Sequence, residues 1–485
     1  MADTTNEVKE TDQGENKVGL FGLVALTVTT VGGAGLFNLP GDLAKLAAPG
    51  PALTALGIAS LAFATFVFCL KYLQDHYPEL DAGIFSFPEK GFGKFVGFLS
   101  CIGYCLSVVI GNVSLGVLSV SSLGYFFPIF RGGTTLPSLI LCSALLWSFF
   151  FISSSGGKTA SLMNAIIWIA KMVPIVVFIV VMIFAFHPQI LSENLWTNAF
   201  QGPEDAQTVS DQISLALSST IWVFVGVEGS LIYSARAKSK RQASQSIVIS
   251  YIVIAVMYLL LILLSFGALS QQEVAEKSVP ALSGILGSVV GDWGSILMNF
   301  GIFLSAAGCW FGCCLLAGEI MDVAAKRKIF PRIFGKENKK GQPVNAYLIS
   351  TIIQQGFLIT MLFNQQIYHV MALFASSTML VPYFTVSLSM IKQSHEIEKK
   401  FNWKVLVGGL STISMAYLLY STGWKYVIIT ALLFAPCIGI YFWARKQNKE
   451  KFLRPFEWVI AIGIVALAIT SIVLISNGTI DLLRM

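Results

Sequence analysis

The chain has 485 residues, of which 55% are hydrophobic and only 12% charged, with a formal net charge of +6. A soluble protein carries about 25% charged residues, and a chain this long with half that supply would present large apolar patches to water and aggregate. A water-soluble enzyme and a disordered chain are both excluded, and the medium that remains is lipid.

Residues 1–17 are polar and mostly acidic and lack the basic segment that opens a signal peptide, so they read as a cytoplasmic tail before a retained first span. Apolar runs long enough to cross a bilayer follow at 18–46, 50–73, 94–128, 136–154, 159–187, 210–236, 245–269, 290–325, 345–363, 366–391, 404–421, 424–445 and 456–476. No segment alternates as a barrel strand does. The expected fold class is therefore an all-α polytopic membrane protein of 12–13 spans, joined by short loops, with no soluble domain. With the N-terminus in the cytoplasm, about 26 of the 32 Lys and Arg fall on the inner side, as the positive-inside rule requires. Topology thus accounts for the basic charge, and no nucleic acid partner is expected. The eight Cys lie mostly inside apolar runs without a zinc-type His pattern. They read as small buried hydrophobes, and no metal or other cofactor is expected.

Two spans are interrupted. The first contains TVGGAGLFNLP at 30–40, and the sixth contains WVFVGVEGS at 222–230, with Glu228 among its glycines. Glycine weakens a helix, and a carboxylate inside a span is costly. Small-residue packing accounts for one such cluster. Two at corresponding places, if spans 1–5 and 6–10 are inverted repeats, point to a transporter's binding site. A broken helix frees N–H groups at one new end and C=O groups at the other, and in lipid these must line a cavity or meet a ligand. The N–H end at Gly33–Gly35 suits a carboxylate. The C=O end near Trp222–Val225 suits an ammonium. Together they match the two ends of an α-amino acid.

The motifs GGAGLFNLP, AAPGP, ELDAGIFSFPEKGFGKFVGF, WVFVGVEGS and AGEIMDVAAKRKIFPRIFGKENKKGQPVNA occur in that order. Together they resemble the basic amino acid/polyamine antiporters, a branch of the amino acid–polyamine–organocation superfamily, and most of all its arginine/ornithine and arginine/agmatine antiporters. The resemblance implies a five-plus-five inverted repeat with broken helices 1 and 6 over 18–391 (halves 18–187 and 210–391), and further C-terminal helices over 404–476. A thirteenth span departs from the usual twelve. The resemblance also implies site roles. Val31, Gly33, Ala34 and Gly35 would hold the amino and carboxylate ends, and Trp222 and Val225 would line the site from span 6, with Trp222 as a gate. Ser107, Val108 and Asn112 would face the substrate side chain. Tyr104 and Glu228 would be gating or proton-linked. Ala34 stands where the arginine/agmatine exchanger has a serine, and Cys313 where it has a tryptophan; Trp310, one turn earlier, is the candidate replacement. In the wider superfamily a lysine or a sodium ion beside span 5 can hold helices 1 and 8 together, which makes Lys171 a candidate built-in cation.

The function expected is exchange of a cationic amino acid, arginine first, for its metabolic product, ornithine or agmatine, in a bacterial inner membrane. A proton-coupled importer on the same fold is the alternative. An intramembrane enzyme lacks a motif: neither H-E-x-x-H nor G-x-S-x-G occurs, and the four His (His76, His187, His369, His395) lie at span ends or outside. Nor is there a charged or carbonyl filter repeat of the kind a channel uses. Amino acids, amines and the lipid bilayer are the expected partners, with a homodimer as the one protein partner to test.

Overall fold

The computed structural model describes residues 18–31, 35–80, 83–156, 159–193, 195–198, 208–232, 237–364, 366–398 and 402–480. The tail at 1–17 lies outside the described residues. The first expected span is two helices, α1 (Leu20–Thr30) and α2 (Gly35–Leu46). Then come α3 (Pro49–His76), α4 (Gly83–Phe92), α5 (Lys94–Leu123), α6 (Leu136–Ser155), α7 (Thr159–Phe184) and the short α8 (Pro188–Glu193). The sixth expected span is again two pieces, α9 (Val209–Phe224) and α10 (Gly229–Ile232). The second half continues with α11 (Lys240–Ala268), α12 (Gln271–Ala275), α13 (Ala281–Val290), α14 (Asp292–Lys326), α15 (Val344–Ile359) and α16 (Ile367–Glu398). Last are α17 (Trp403–Ser421), α18 (Trp424–Gln447) and α19 (Pro455–Ser476).

Ten of these helices are long and apolar enough to cross a membrane. The other three expected spans are the two interrupted ones and α17, a 19-residue helix with more polar residues. Helices α4, α8, α12 and α13 lie outside the expected spans, because a search for spans passes over helices this short. Helix α4 exists by burial of Ile84, Phe85 and Phe87. Its Pro88 cannot donate to the Ile84 carbonyl, and the Ser100 hydroxyl donates to that oxygen instead at 2.6 Å.

One close approach recurs in both halves. A Cβ added to Gly103 on α5 would lie 2.9 Å from both Pro382 Cδ and the Thr378 carbonyl oxygen of α16. A Cβ added to Gly301 on α14 would lie 3.0 Å from the Ala170 carbonyl oxygen of α7, beside Pro174. Each proline leaves the carbonyl four residues before it without its helical donor, and a glycine of the neighbouring helix sits over that gap. Helices α5 and α14 are the third and eighth spans; α7 and α16 are the fifth and tenth. A five-plus-five repeat relates those two pairs to each other.

The half-helices are also paired. Val18 and Ala237 form an isolated bridge, and the Lys238 N–H donates to the Val18 carbonyl at 3.0 Å, tying the start of α1 to the segment after α10. Helix α2 packs on α9 at Gly35, where an added Cβ would meet Val223 Cγ1 at 2.6 Å and Trp222 Cδ1 at 2.8 Å. Around the α2–α9 contact lies a large apolar core, while Val18 and Ala237 belong to a small separate cluster with Leu23 and Ala243. Helix α19 lies at the margin of the large core, with 17% of its most apolar stretch buried. The loop before α19 docks on the start of α5, where Lys94 Nζ lies 2.9 Å from Glu450, which also pairs with Arg445. The hydrogen bond from Lys94 holds the Glu450 carboxyl below its usual range.

Candidate functional site

Both interruptions have the same backbone form. Helix α1 ends at Val31 (φ −75°, ψ 139°) and α9 ends at Val225 (φ −62°, ψ 128°), each an extended residue where the helix stops. Gly226 follows with φ 105°, in the left-handed region that favours glycine. Gly33 and Ala34 lie outside the described residues; Val31 and Gly35 bracket them.

The C-terminal end of α1 is closed by a buried ammonium. Lys171 of α7 is fully buried and donates to the carbonyl oxygens of Val28 (3.0 Å), Thr29 (3.0 Å) and Val31 (2.7 Å). These are carbonyls that a helix end leaves without a partner, and they also carry the negative end of the helix dipole. Cys309 and Cys313 of α14 lie near the same ammonium. Lys171 therefore sits among the first, fifth and eighth spans and does not reach the lipid interface.

The break in span 6 is closed differently. The Trp222 carbonyl accepts the Val225 N–H at 3.2 Å, and the Phe224 carbonyl accepts the Val227 N–H at 3.3 Å. The Val223 carbonyl accepts the Tyr258 hydroxyl at 2.6 Å. Of the four carbonyls expected to receive an ammonium, three are engaged within the protein, and among the described residues Val225 remains. Tyr383 of α16 accepts the Gly226 N–H at 3.1 Å and donates its own proton to Glu228. Glu228 is fully buried, and the Tyr104 hydroxyl bonds it from α5. A carboxylate this deep needs such donors, because burying a charge without them is costly.

Trp222 links the break to span 3. Its indole lies over Gly35 and also against Gly111 of α5, where an added Cβ would be 2.6 Å from Trp222 Cη2. Trp222, Val225 and Cys313 are half-buried, while Val108 and Gly35 are buried. The structure thus brings Val31, Gly35, Trp222, Val225, Glu228 and Tyr104 around the two interruptions, with Lys171 and Cys313 beside them.

Three expected residues have other contacts. Ser107 donates to the Ala375 carbonyl of α16 at 2.7 Å, so its hydroxyl joins two helices. Asn112 donates to Gln354 of α15 at 3.1 Å, and the Trp310 indole N–H donates to the same Gln354 oxygen at 3.0 Å. Trp310 is fully buried, edge-on to Phe149 and packed over Gly116. It is held in the α5–α6–α15 packing. Sequence reasoning missed Tyr383, Tyr258 and Gln354. A tyrosine or glutamine inside an apolar run is a weak cue by itself, and the partners of Tyr383 lie more than 150 residues away.

A family model described as amino acid permease matches residues 18–425. An arginine/ornithine antiporter of Latilactobacillus sakei is 35% identical, over 96% of this chain and 98% of its own. An arginine/ornithine antiporter of Pseudomonas aeruginosa is 33% identical, over 93% of this chain and 96% of its own. These relatives are transporters and not enzymes. A solved Na+-coupled sialic acid symporter in a substrate-bound outward-open state aligns over 84% of this chain and 89% of its own, with a TM-score of 0.53 and 10% identity. Likeness at that identity concerns the fold alone.

Proposed function

The chain belongs to the amino acid permease family, and on that footing we propose that it is a secondary antiporter exchanging arginine for ornithine by alternating access. The observation that carries this reading is the pair of matched interruptions, in spans 1 and 6, that meet where Trp222 lies on Gly35. The substrate pair follows the names of the relatives. Agmatine has no such support and is the second counter-substrate to test. Nothing observed favours a proton-coupled importer.

In this reading the N–H groups around Gly33, Ala34 and Gly35 take the substrate carboxylate, and Val31 and Val225 face its ammonium. Trp222 covers the bound molecule, and Val108 and Cys313 border the side chain. Ser107, Asn112 and Trp310 hold the helices that frame the pocket. Lys171 supplies a fixed charge where the α1 carbonyls converge, so no bound cation is needed there. Glu228, with Tyr104 and Tyr383, sits behind Gly226, where gain or loss of a proton would shift the turn. Residues 18–391 form the transport core, in halves 18–187 and 210–391, and 404–476 is peripheral. The excess of Lys and Arg on one face supports a cytoplasmic N-terminus in a bacterial inner membrane.

Counterflow in proteoliposomes tests the reading. Labelled arginine enters vesicles loaded with ornithine and does not enter empty ones. Uptake into empty vesicles under a pH gradient would refute antiport. Uptake with internal agmatine and none with internal ornithine would refute the substrate pair.

A further inference from the structure

A second polar group lies on the face opposite the lysine-rich loops, outside the site described above. Asn38 and Asp42 are one turn apart on α2, so they share a face. Both are buried. The Asn38 amide donates to Asp42, and its oxygen accepts the Ala281 N–H of α13 at 3.0 Å. Gln271 of α12 donates to the carbonyls of Ala44 (3.0 Å) and Ala47 (3.1 Å), near the end of α2. A Cβ added at Gly41 would be 2.5 Å from Ala281 Cβ. Helix α2 is therefore fastened to α12 and α13 as one block.

The opposite wall is α16. Its start is fastened to α5 by Ser114, which donates to the Tyr368 carbonyl at 2.9 Å. Among the described residues, the polar contact joining α2 to α16 is Asp42 with His369, at 3.7 Å. The Asp42 side chain is 10% exposed and that of His369 is 36% exposed, so the imidazole is the more open of the two to water. The charged groups that bear on Asp42 are His369 and, along α2, Lys45. Asn38 links it to the Ala281 N–H of α13, and among the described residues the Tyr368 hydroxyl next to His369 is buried without a partner. His369 meets Asp42 from α2 and the Tyr368 ring on its own helix.

We propose that Asp42 and His369 form a proton-operated latch on the outer path to the substrate site, closed when the imidazole carries a proton and loosened when it does not. The inference rests on the antiport reading for the meaning of "path" and on the positive-inside orientation for "outer". Its physical basis is separate. Histidine is the side chain whose charge ordinarily changes between about pH 5 and 8. A buried carboxylate that loses its cation, here left with the Asn38 amide alone, must take up a proton or become hydrated. Water reaches Asp42 when α2 moves away from α16, and α2 is the helix whose first residue, Gly35, carries the Trp222 contact. His369 acts on α2 through Asp42 and does not touch substrate, so it is a positioning residue.

The test uses the full-length chain in proteoliposomes buffered inside at about pH 7, with arginine on both sides and external pH varied between about 5.5 and 8, the range in which histidine titrates. Arginine keeps its side-chain charge throughout. A site available only in the open fraction has an apparent affinity reduced by that fraction, so the external KM should be about three-fold higher at the acid end. His369→Gln should be flat at the alkaline value, and His369→Lys, with a permanent charge, flat at the acid value. Hydrogen exchange of segment 35–46 without substrate, corrected for the intrinsic rate, should show acid-induced protection in the parent that His369→Gln lacks. If His369→Gln keeps the parental KM ratio and protection, the latch is refuted. If the exchange pattern appears but no amino acid moves, the latch stands and the antiport reading fails.

Discussion

Replacing Lys171 by methionine keeps most of the side-chain length and removes the ammonium that gathers three carbonyls at 3.0, 3.0 and 2.7 Å. Hydrogen bonds to a charged group are worth about 1.5–3 kcal/mol each. Three bonds to one ammonium do not add, and burying the charge has its own cost. Leaving buried carbonyls without their donor costs about 1–3 kcal/mol each, so a loss of about 3 kcal/mol is the guide. That loss falls on the end of α1, the segment whose register places Val31 and the start of the interruption. At 1.4 kcal/mol per factor of ten, exchange should fall about 100-fold or more. The assay is arginine–ornithine counterflow together with thermal unfolding in detergent. The variant should unfold earlier and exchange poorly at every substrate concentration. Exchange within about two-fold of the parent, with unchanged thermal stability, would show that α1 does not depend on Lys171, by the same conversion of free energy to rate.

Three more expectations come from single contacts. Gly35→Ala places a methyl group 2.6 Å from Val223 Cγ1 and 2.8 Å from the Trp222 ring; overpacking of this kind costs about 1–3 kcal/mol, and an external KM for arginine within two-fold of the parent would contradict the close approach. Tyr383→Phe removes the donor to Glu228 and the acceptor of the Gly226 N–H; exchange should drop about ten-fold and its pH profile should move, at about 1.5–3 kcal/mol for a bond to a charged group, and an unchanged profile would exclude Glu228 from proton linkage. Glu450→Gln breaks the contacts to Lys94 and Arg445 and should lower stability by no more than about 1 kcal/mol, because the pair is partly exposed. Since the folded Glu450 carboxyl lies below its ordinary 4.5, its contribution is complete above that pH and is lost as pH falls through the folded value; parent and variant unfolding temperatures should converge in acid and differ at neutral pH.

The sequence by itself determined the solvent, the fold class and the places where the helices stop. Composition excluded water. Three glycines and an alanine at 32–35, and Gly226 and Gly229 around Glu228, marked both interruptions, because backbone preference is local and apolar periodicity counts spans without knowledge of neighbours. Lys171 was legible as a problem, since a charge in mid-span needs a partner. What only tertiary structure decided was the identity of partners. Tyr383 reaches Glu228, Gln354 receives both Asn112 and Trp310, and His369 meets Asp42, each across a large gap in the chain. A hydrogen bond between spans depends on helix rotation and crossing. Those are set by glycines packed over proline kinks, as at Gly103 and Gly301, and a linear pattern of apolar residues carries no term for them. For the same reason Trp310, one turn from the vacant tryptophan position in sequence, is packed against Phe149 and Gly116 in space.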